Sequence, residues 1–467
     1  MTVHPDRLFP ADPATRDVAR RLYAEVATAP IISPHGHVDA RVLLDDEPFP
    51  DPAALFITPD HYVTRLLHSL GVPLDQLGLG PGADTARRDG RAIWRLLCTH
   101  WDAFLGTPVR FWFESELAEV FGLAEEPSEA SADRLYDELS ARLAEPAFRP
   151  RALFERFNID VLATTDDPAD DLAAHLALRE DQNFAGRVLP TFRADRYMTP
   201  GTAAWAPALD ALAEASGIDT GSYAGLLDAL RSRRAFFRAA GGTATDTGVL
   251  SADATPLADV EAERIHLGAL AGEISEADAA AYRANLLYRF AEMSVDDGLV
   301  MQLHAGVHRG THRPTLERFG PDTGHDLPAV GAYTLPLAPI LNDFGTAPGF
   351  HLVLFTVDET LFGREIAPLA GFYASVYAGA PWWFLDTPLA IGRYRAAVTD
   401  TIGFRKTSGF IDDTRAFCSI PARHDMSRRT DASFLASLVV THQVSEDDAL
   451  GIARRLVGDQ PREVFKL

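Results

Sequence analysis

Ile31-Ile32-Ser33-Pro34-His35-Gly36-His37-Val38-Asp39 is the stretch from which the fold can be read. Its short β-branched run predicts a strand, and two histidines follow one residue apart where that strand should end. Along an extended backbone, residues i and i+2 point to the same side. His35 and His37 can therefore bind one metal ion over the end of the strand. The apolar lead-in and the following Asp39 set this pair apart from a chance surface pair of histidines.

Outward from this run the same design recurs: a short apolar segment ending in chemically capable residues. Candidate strands are Ile31 to His35, Ile159 to Thr165, Arg187 to Phe192 and Gly242 to Asp246. Further on come Leu299 to His304, His351 to Thr356, Ala378 to Phe384 and Ser408 to Asp412. Helical periodicity lies between them. Val18, Leu22 and Val26 share one face near the amino terminus, and Ser275 with Asp278 marks a helix start before Leu286 and Phe290. Strands alternating with helices predict parallel strands, and these runs predict a (β/α)8 TIM-type barrel.

The spacing is uneven. Between the first two strands the pattern predicts helices over Ala53 to Ser69, Asp89 to Phe104, Glu114 to Phe121 and Ala130 to Ala144. A second helical excursion runs from Tyr197 to Arg238. With no Gly/Ser-rich linker, residues 1–467 read as one distorted barrel domain with helical insertions at about 45–157 and 195–240.

Composition bounds the function. Hydrophobic residues at 47% and charged residues at 23% match a soluble globular protein. A net charge of -23 argues against nucleic acid and anionic membranes as partners; an anionic small substrate would need local arginines. Cys98 and Cys418 cannot build a disulfide framework or a cysteine-rich metal site. Met1 to Pro10 lacks a signal pattern and no run is long enough to span a bilayer, so a cytoplasmic protein is expected. Self-association into a homo-oligomer is compatible with such a chain.

In a barrel of this kind the strand ends converge on one face. They bring His35 and His37, Asp166-Asp167, Arg193, Asp246, His304, Trp382-Trp383, and Asp412-Asp413 with Arg415. The last strand neighbours the first, so Asp413 can join the histidine pair as a third ligand for a divalent metal ion, zinc foremost. Plainer readings stand beside these. Asp166-Asp167 could cap a helix, Arg193 could belong to a surface ion pair, Trp382-Trp383-Phe384 could be core packing, and His304 a hydrogen-bonded core histidine. Asp60-His61-Tyr62 means little alone. The site rests on convergence.

At these residues the chain resembles the uronate isomerase family of the amidohydrolase superfamily. The matching blocks are Pro34 to Asp39, Pro59-Asp60-His61-Tyr62 with Arg65, Ala163 to Pro168, and Val188 to Arg193. Leu303 to Gly306 with Arg309, Gly320-Pro321-Asp322-Thr323-Gly324, Trp382-Trp383-Phe384 and Asp413-Thr414-Arg415 complete the set. The resemblance implies aldose-ketose isomerisation, D-glucuronate to D-fructuronate and D-galacturonate to D-tagaturonate, through a cis-enediol. It implies Asp413 as the base and Tyr62 as the proton shuttle between the C1 and C2 oxygens. Arg193 and Arg415 would hold the sugar acid, His61 and Trp382 would shape the pocket, and His304 would ligate metal or bind substrate.

The chain departs from the family pattern in three places. Thr245-Asp246-Thr247 lacks the histidine that relatives carry after the fourth strand, and Asp412 stands where an uncharged residue is usual. Val307 to Thr311 lacks the family's asparagines. Two rival readings are a metal-dependent hydrolase acting on a lactone or amide, and a non-catalytic sugar-acid binding protein.

Overall fold

In the computed structural model, which describes residues 3–80 and 88–467, the run beginning at Ile31 forms strand β1 (Ile31–Ser33) and stops at Pro34. The readings of Met1 to Pro10 and of 45–157 each extend over a few residues outside that range. After β1 come β2 (Ile159–Ala163), β3 (Arg187–Leu189), β4 (Phe192–Arg193), β5 (Ala244–Val249) and β6 (Val300–Ala305). A small ribbon of β7 (Val307–His308) and β8 (Leu327–Pro328) precedes β9 (Leu352–Thr356) and β10 (Val376–Ala378).

Two parallel arcs carry the barrel, β1-β2-β3 and β4-β5-β6-β9-β10. Asp166 stitches them together: its N–H donates to Thr191 O at 2.9 Å and its carbonyl accepts Arg193 N–H at 3.0 Å. The opposite seam closes through the segment 407–414. Ser408 N–H donates to Ala378 O at 2.9 Å, and His37 N–H donates to Thr414 O at 3.0 Å. The result is a distorted (β/α)8 barrel, with helices on its outside.

Three of the expected strands come out differently. Arg187 to Phe192 is split in two because Pro190 has no N–H to offer a ladder. The seventh strand lies earlier than expected: β10 ends at Ala378, and Trp383–Leu385 is a 3-10 turn. The eighth, Ser408 to Asp412, forms no ladder; the preceding Thr407 makes a single bridge to Ala378. Gly409 at φ 77° and Asp413 at φ 44° turn the backbone out of strand geometry on either side.

The helical predictions hold in outline and break where the chemistry demands it. Val18, Leu22 and Val26 are the buried face of helix Pro13–Val26, against Leu435 and Ala436 of helix Ile420–Val440. Ser275 caps helix Glu276–Asp297, its hydroxyl accepting Asp278 N–H at 3.0 Å. The expected helix Ala53 to Ser69 becomes Pro52–Phe56 and His61–Ser69, interrupted at Thr58-Pro59. Glu114 to Phe121 is instead the end of helix Pro108–Ser115 and a π-turn over Glu116–Val120.

Trp94, Trp112, Phe104 and Phe121 from the first helical segment share one core cluster with Ile31, Leu162 and Phe355 of the barrel. Each such ring removes about 150–250 Å² from water, or about 4–6 kcal/mol before chain entropy is subtracted. Tyr197, Trp205 and Leu226 of the second segment pack likewise with Phe192, Met301 and Leu303. No helix among the described residues is long and apolar enough to cross a membrane.

Candidate active site

A cavity of about 460 Å³ opens at the carboxyl ends of the strands, and most of the site residues expected from the sequence line it: His35, His37, His61, Tyr62, Arg193, His304, Trp382, Asp413 and Arg415. His35 and His37 project from the turn after β1. Both direct Nε2 at one oxygen, Asp413 Oδ1, at 3.1 and 3.0 Å. That oxygen is buried and has no hydrogen bond of acceptable geometry. Three ligand atoms thus converge without satisfying one another, which fits a divalent cation bound by two imidazoles and a carboxylate. Burial alone would raise the Asp413 carboxyl, but the two imidazoles override it and hold it well below the usual carboxylate range.

A second cluster shares His35: His35, Asp246 and His304. It is less suited to a metal because Asp246 is already engaged. His304 Nδ1 lies 2.6 Å from Asp246 Oδ1, and Arg193 Nη1 lies 3.1 Å from Oδ2. Asp246 is depressed, despite burial, by Arg193 and His304. It is therefore a carboxylate, so Nδ1 of His304 donates to it and Nε2, buried and unpartnered, is left with its lone pair. Arg193 also donates Nε–H to Asp195 at 2.7 Å, so two carboxylates fix its guanidinium.

The break at Pro59 makes the next wall. Asp60 caps helix His61–Ser69 by accepting Tyr62 N–H at 2.8 Å, which sets His61 and Tyr62 in the first helical turn at the cavity. His61 stacks on Tyr62 with centroids 4.8 Å apart and meets Trp383 edge-on at 5.2 Å. Burial, then Arg415 and Arg65, push the His61 imidazole down to about 3, so it is neutral. Burial raises the Tyr62 phenol well above its ordinary value, with Arg423 pulling the other way. Trp382 closes the wall against His304 at 4.7 Å.

Adjacent residues at the eighth segment part company. Asp413 lines the cavity, whereas Asp412 is fully buried with Oδ2 3.1 Å from His424 Nε2. Asp166 and Asp167 do not cap a helix or reach the cavity. Asp166 accepts Thr164 Oγ1–H and Thr191 N–H, and Asp167 takes Tyr197 OH and Arg196.

Sequence reasoning gave no role to several residues that the fold brings here. Asp246 hinges His304 and Arg193 together. Arg423, on helix Ile420–Val440, reaches the cavity floor with Nη1 2.6 Å from Asp386 Oδ2 and its guanidinium 3.6 Å from the Trp112 ring centre. Arg309 and Asp322, on the segment between β6 and β9, line the mouth. Arg309 and Asp322 each stood in a block of the family resemblance, the one available signal; nothing in the sequence distinguished Arg423.

A family model described as glucuronate isomerase matches residues 13–462. A uronate isomerase of Corynebacterium efficiens is 51% identical over 99% of this chain and 98% of its own length. The crystal structure of glucuronate isomerase from Caulobacter crescentus is 43% identical and superposes with a TM-score of 0.96, covering 100% of this chain and 97% of that one. That of uronate isomerase from Thermotoga maritima is 27% identical with a TM-score of 0.93, each chain covered to 100%. With its cavity assembled from the same strand ends that suggested the kinship, this chain belongs to the glucuronate (uronate) isomerase family.

Proposed function

We propose that the cavity takes an open-chain hexuronate and interconverts its aldose and ketose forms: D-glucuronate to D-fructuronate, and D-galacturonate to D-tagaturonate. The observation that carries this reading is Asp413, a carboxylate held between His35 and His37 at the wall of a cavity that also holds Tyr62 and Arg415. The family relatives disfavour the rival hydrolase.

Arg415 and Arg309, both facing the mouth beside Asp322, receive the sugar carboxylate. Arg193, expected from the sequence to hold the sugar acid beside Arg415, is taken up by Asp195 and Asp246 and lends positive charge to the cavity wall instead. Asp413 takes the C2 proton and returns it to C1, so that the C1–C2 bond passes through a cis-enediol. Tyr62, protonated through the neutral range, moves a proton between the C1 and C2 oxygens. His304 offers Nε2 as an acceptor for a substrate hydroxyl, while His61 and Trp382 exclude water. A divalent ion, zinc by the preference of this donor set, would be held by His35, His37 and Asp413 and would supply Lewis-acid charge.

The helical segments at 45–157 and 195–240 are insertions of one barrel domain, a reading supported by their shared cores. Cys98 and Cys418 are buried free thiols, which suits a cytoplasmic enzyme. Incubation with D-glucuronate or D-galacturonate in deuterated water tests the chemistry. Ketouronate is expected, with solvent deuterium at C1 to the extent that the base exchanges. No ketouronate from either sugar with metal supplied overturns the assignment.

A further inference from the structure

The segment between β6 and β9 folds over the cavity mouth, pinned by the β7–β8 ribbon. It carries two acids and one base to the same spot. Asp326, buried, accepts Arg309 Nη1–H at 3.0 Å and Gly310 N–H at 2.6 Å, so Arg309 is anchored from behind. Asp322 stands in front. Its Oδ2 lies 3.0 Å from Arg415 Nη2 and its Oδ1 3.4 Å from Arg309 Nη1. One carboxylate thus joins an arginine of the overlying segment to the arginine that follows Asp413 in the barrel.

Asp322 adopts φ 59°, a left-handed conformation unusual for a residue with a Cβ, between Gly320 and Gly324, which also have positive φ. The backbone accepts this conformation and thereby aims the carboxylate at Arg415 and Arg309 on the cavity rim, where the side chain is still 43% exposed. Two guanidiniums and two carboxylates balance, so the mouth offers an incoming anion no net positive charge while Asp322 stays in place.

We infer that Asp322 is an internal stand-in for the substrate carboxylate: it pairs with Arg415 and Arg309 when no sugar acid is bound, and yields them when one enters. This rests on the reading that those arginines receive the sugar carboxylate. The exchange is one carboxylate for another, so a uronate can make it. A neutral aldose of equal size has no anion to offer and leaves the Asp322 pairs closed. Asp322 is thereby a specificity-determining residue, selecting substrates by charge through competition.

The test compares wild type, Asp322→Asn and Arg415→Met in steady-state turnover of D-glucuronate, with acetate as a probe anion. In Asp322→Asn the competing charge is gone, so KM falls about three- to tenfold and acetate inhibits at lower concentration than in wild type. A KM that rises means that Asp322 orients the arginines instead, and overturns the inference; so does an unchanged KM without stronger acetate inhibition. Arg415→Met separates the two levels. A raised KM there keeps the carboxylate reading even if Asp322 fails, and an unchanged KM overturns that reading itself.

Discussion

Asp246 and His304, on neighbouring strands β5 and β6, are joined by a 2.6 Å hydrogen bond that fixes the imidazole's tautomer and leaves Nε2 unpartnered. The same carboxylate holds Arg193 from the other side at 3.1 Å.

Removing that carboxylate should be felt in stability as well as activity. Asp246→Ala leaves the Arg193 guanidinium to Asp195, beside a histidine freed to flip, at a cost of about 1–3 kcal/mol. Urea unfolding would measure it, and a loss below about 1 kcal/mol would show that the triad is replaced by solvent.

The two adjacent aspartates should behave oppositely. Asp413→Asn removes the proposed base and is expected to lower kcat by at least about a hundredfold with the fold intact. Asp412→Asn disturbs a buried contact with His424 and should act mainly on the melting temperature. Steady-state kinetics beside thermal unfolding distinguishes them; equal loss of kcat in both would contradict the division of roles.

Metal removal offers an independent check. Dialysis against a chelator should abolish turnover and lower the melting temperature, with both restored by zinc. A ligand present at a hundred times its Kd stabilises by about 2.7 kcal/mol, so the shift should be readable by calorimetry. In His37→Ala the zinc-dependent shift should disappear; its survival would move the metal away from this histidine pair.

Glu116, buried in the π-turn beside helix Pro108–Ser115, sets a pH dependence of the fold. Burial, with Asp60 adding to it and Arg423 opposing, pushes its carboxyl from 4.5 up to about 8. The folded protein holds a proton there that the unfolded chain has released, so stability falls as pH climbs from about 4.5 to about 8. The effect is on the order of a few kcal/mol. Glu116→Gln should flatten this slope and melt above wild type at pH 9, but not at pH 5. Parallel melting curves for the two proteins would rule Glu116 out as the source.

Much of this was legible in one dimension because the signals are local. His35 and His37, two residues apart in one turn, reach the same oxygen, Ser275 caps its helix within three residues, and Val18, Leu22 and Val26 share a face by helical spacing. Where the reading slipped, a backbone detail intervened. Pro190 split a strand, Pro59 broke a helix, and Gly409 with Asp413 kept the last barrel segment from forming a ladder.

By itself, then, the sequence determined which residue types arrive at strand ends and how often, since period and turn chemistry act over a few residues. Only the tertiary structure decided who meets whom. Asp246 and His304 are 58 residues apart, and Asp322 and Arg415 are 93 apart. Arg423 reaches the cavity from a helix whose own pattern is featureless because it is buried on nearly every side. Such pairings follow from how helices and insertions pack around the barrel, a sum of many weak contacts that no short window of sequence contains.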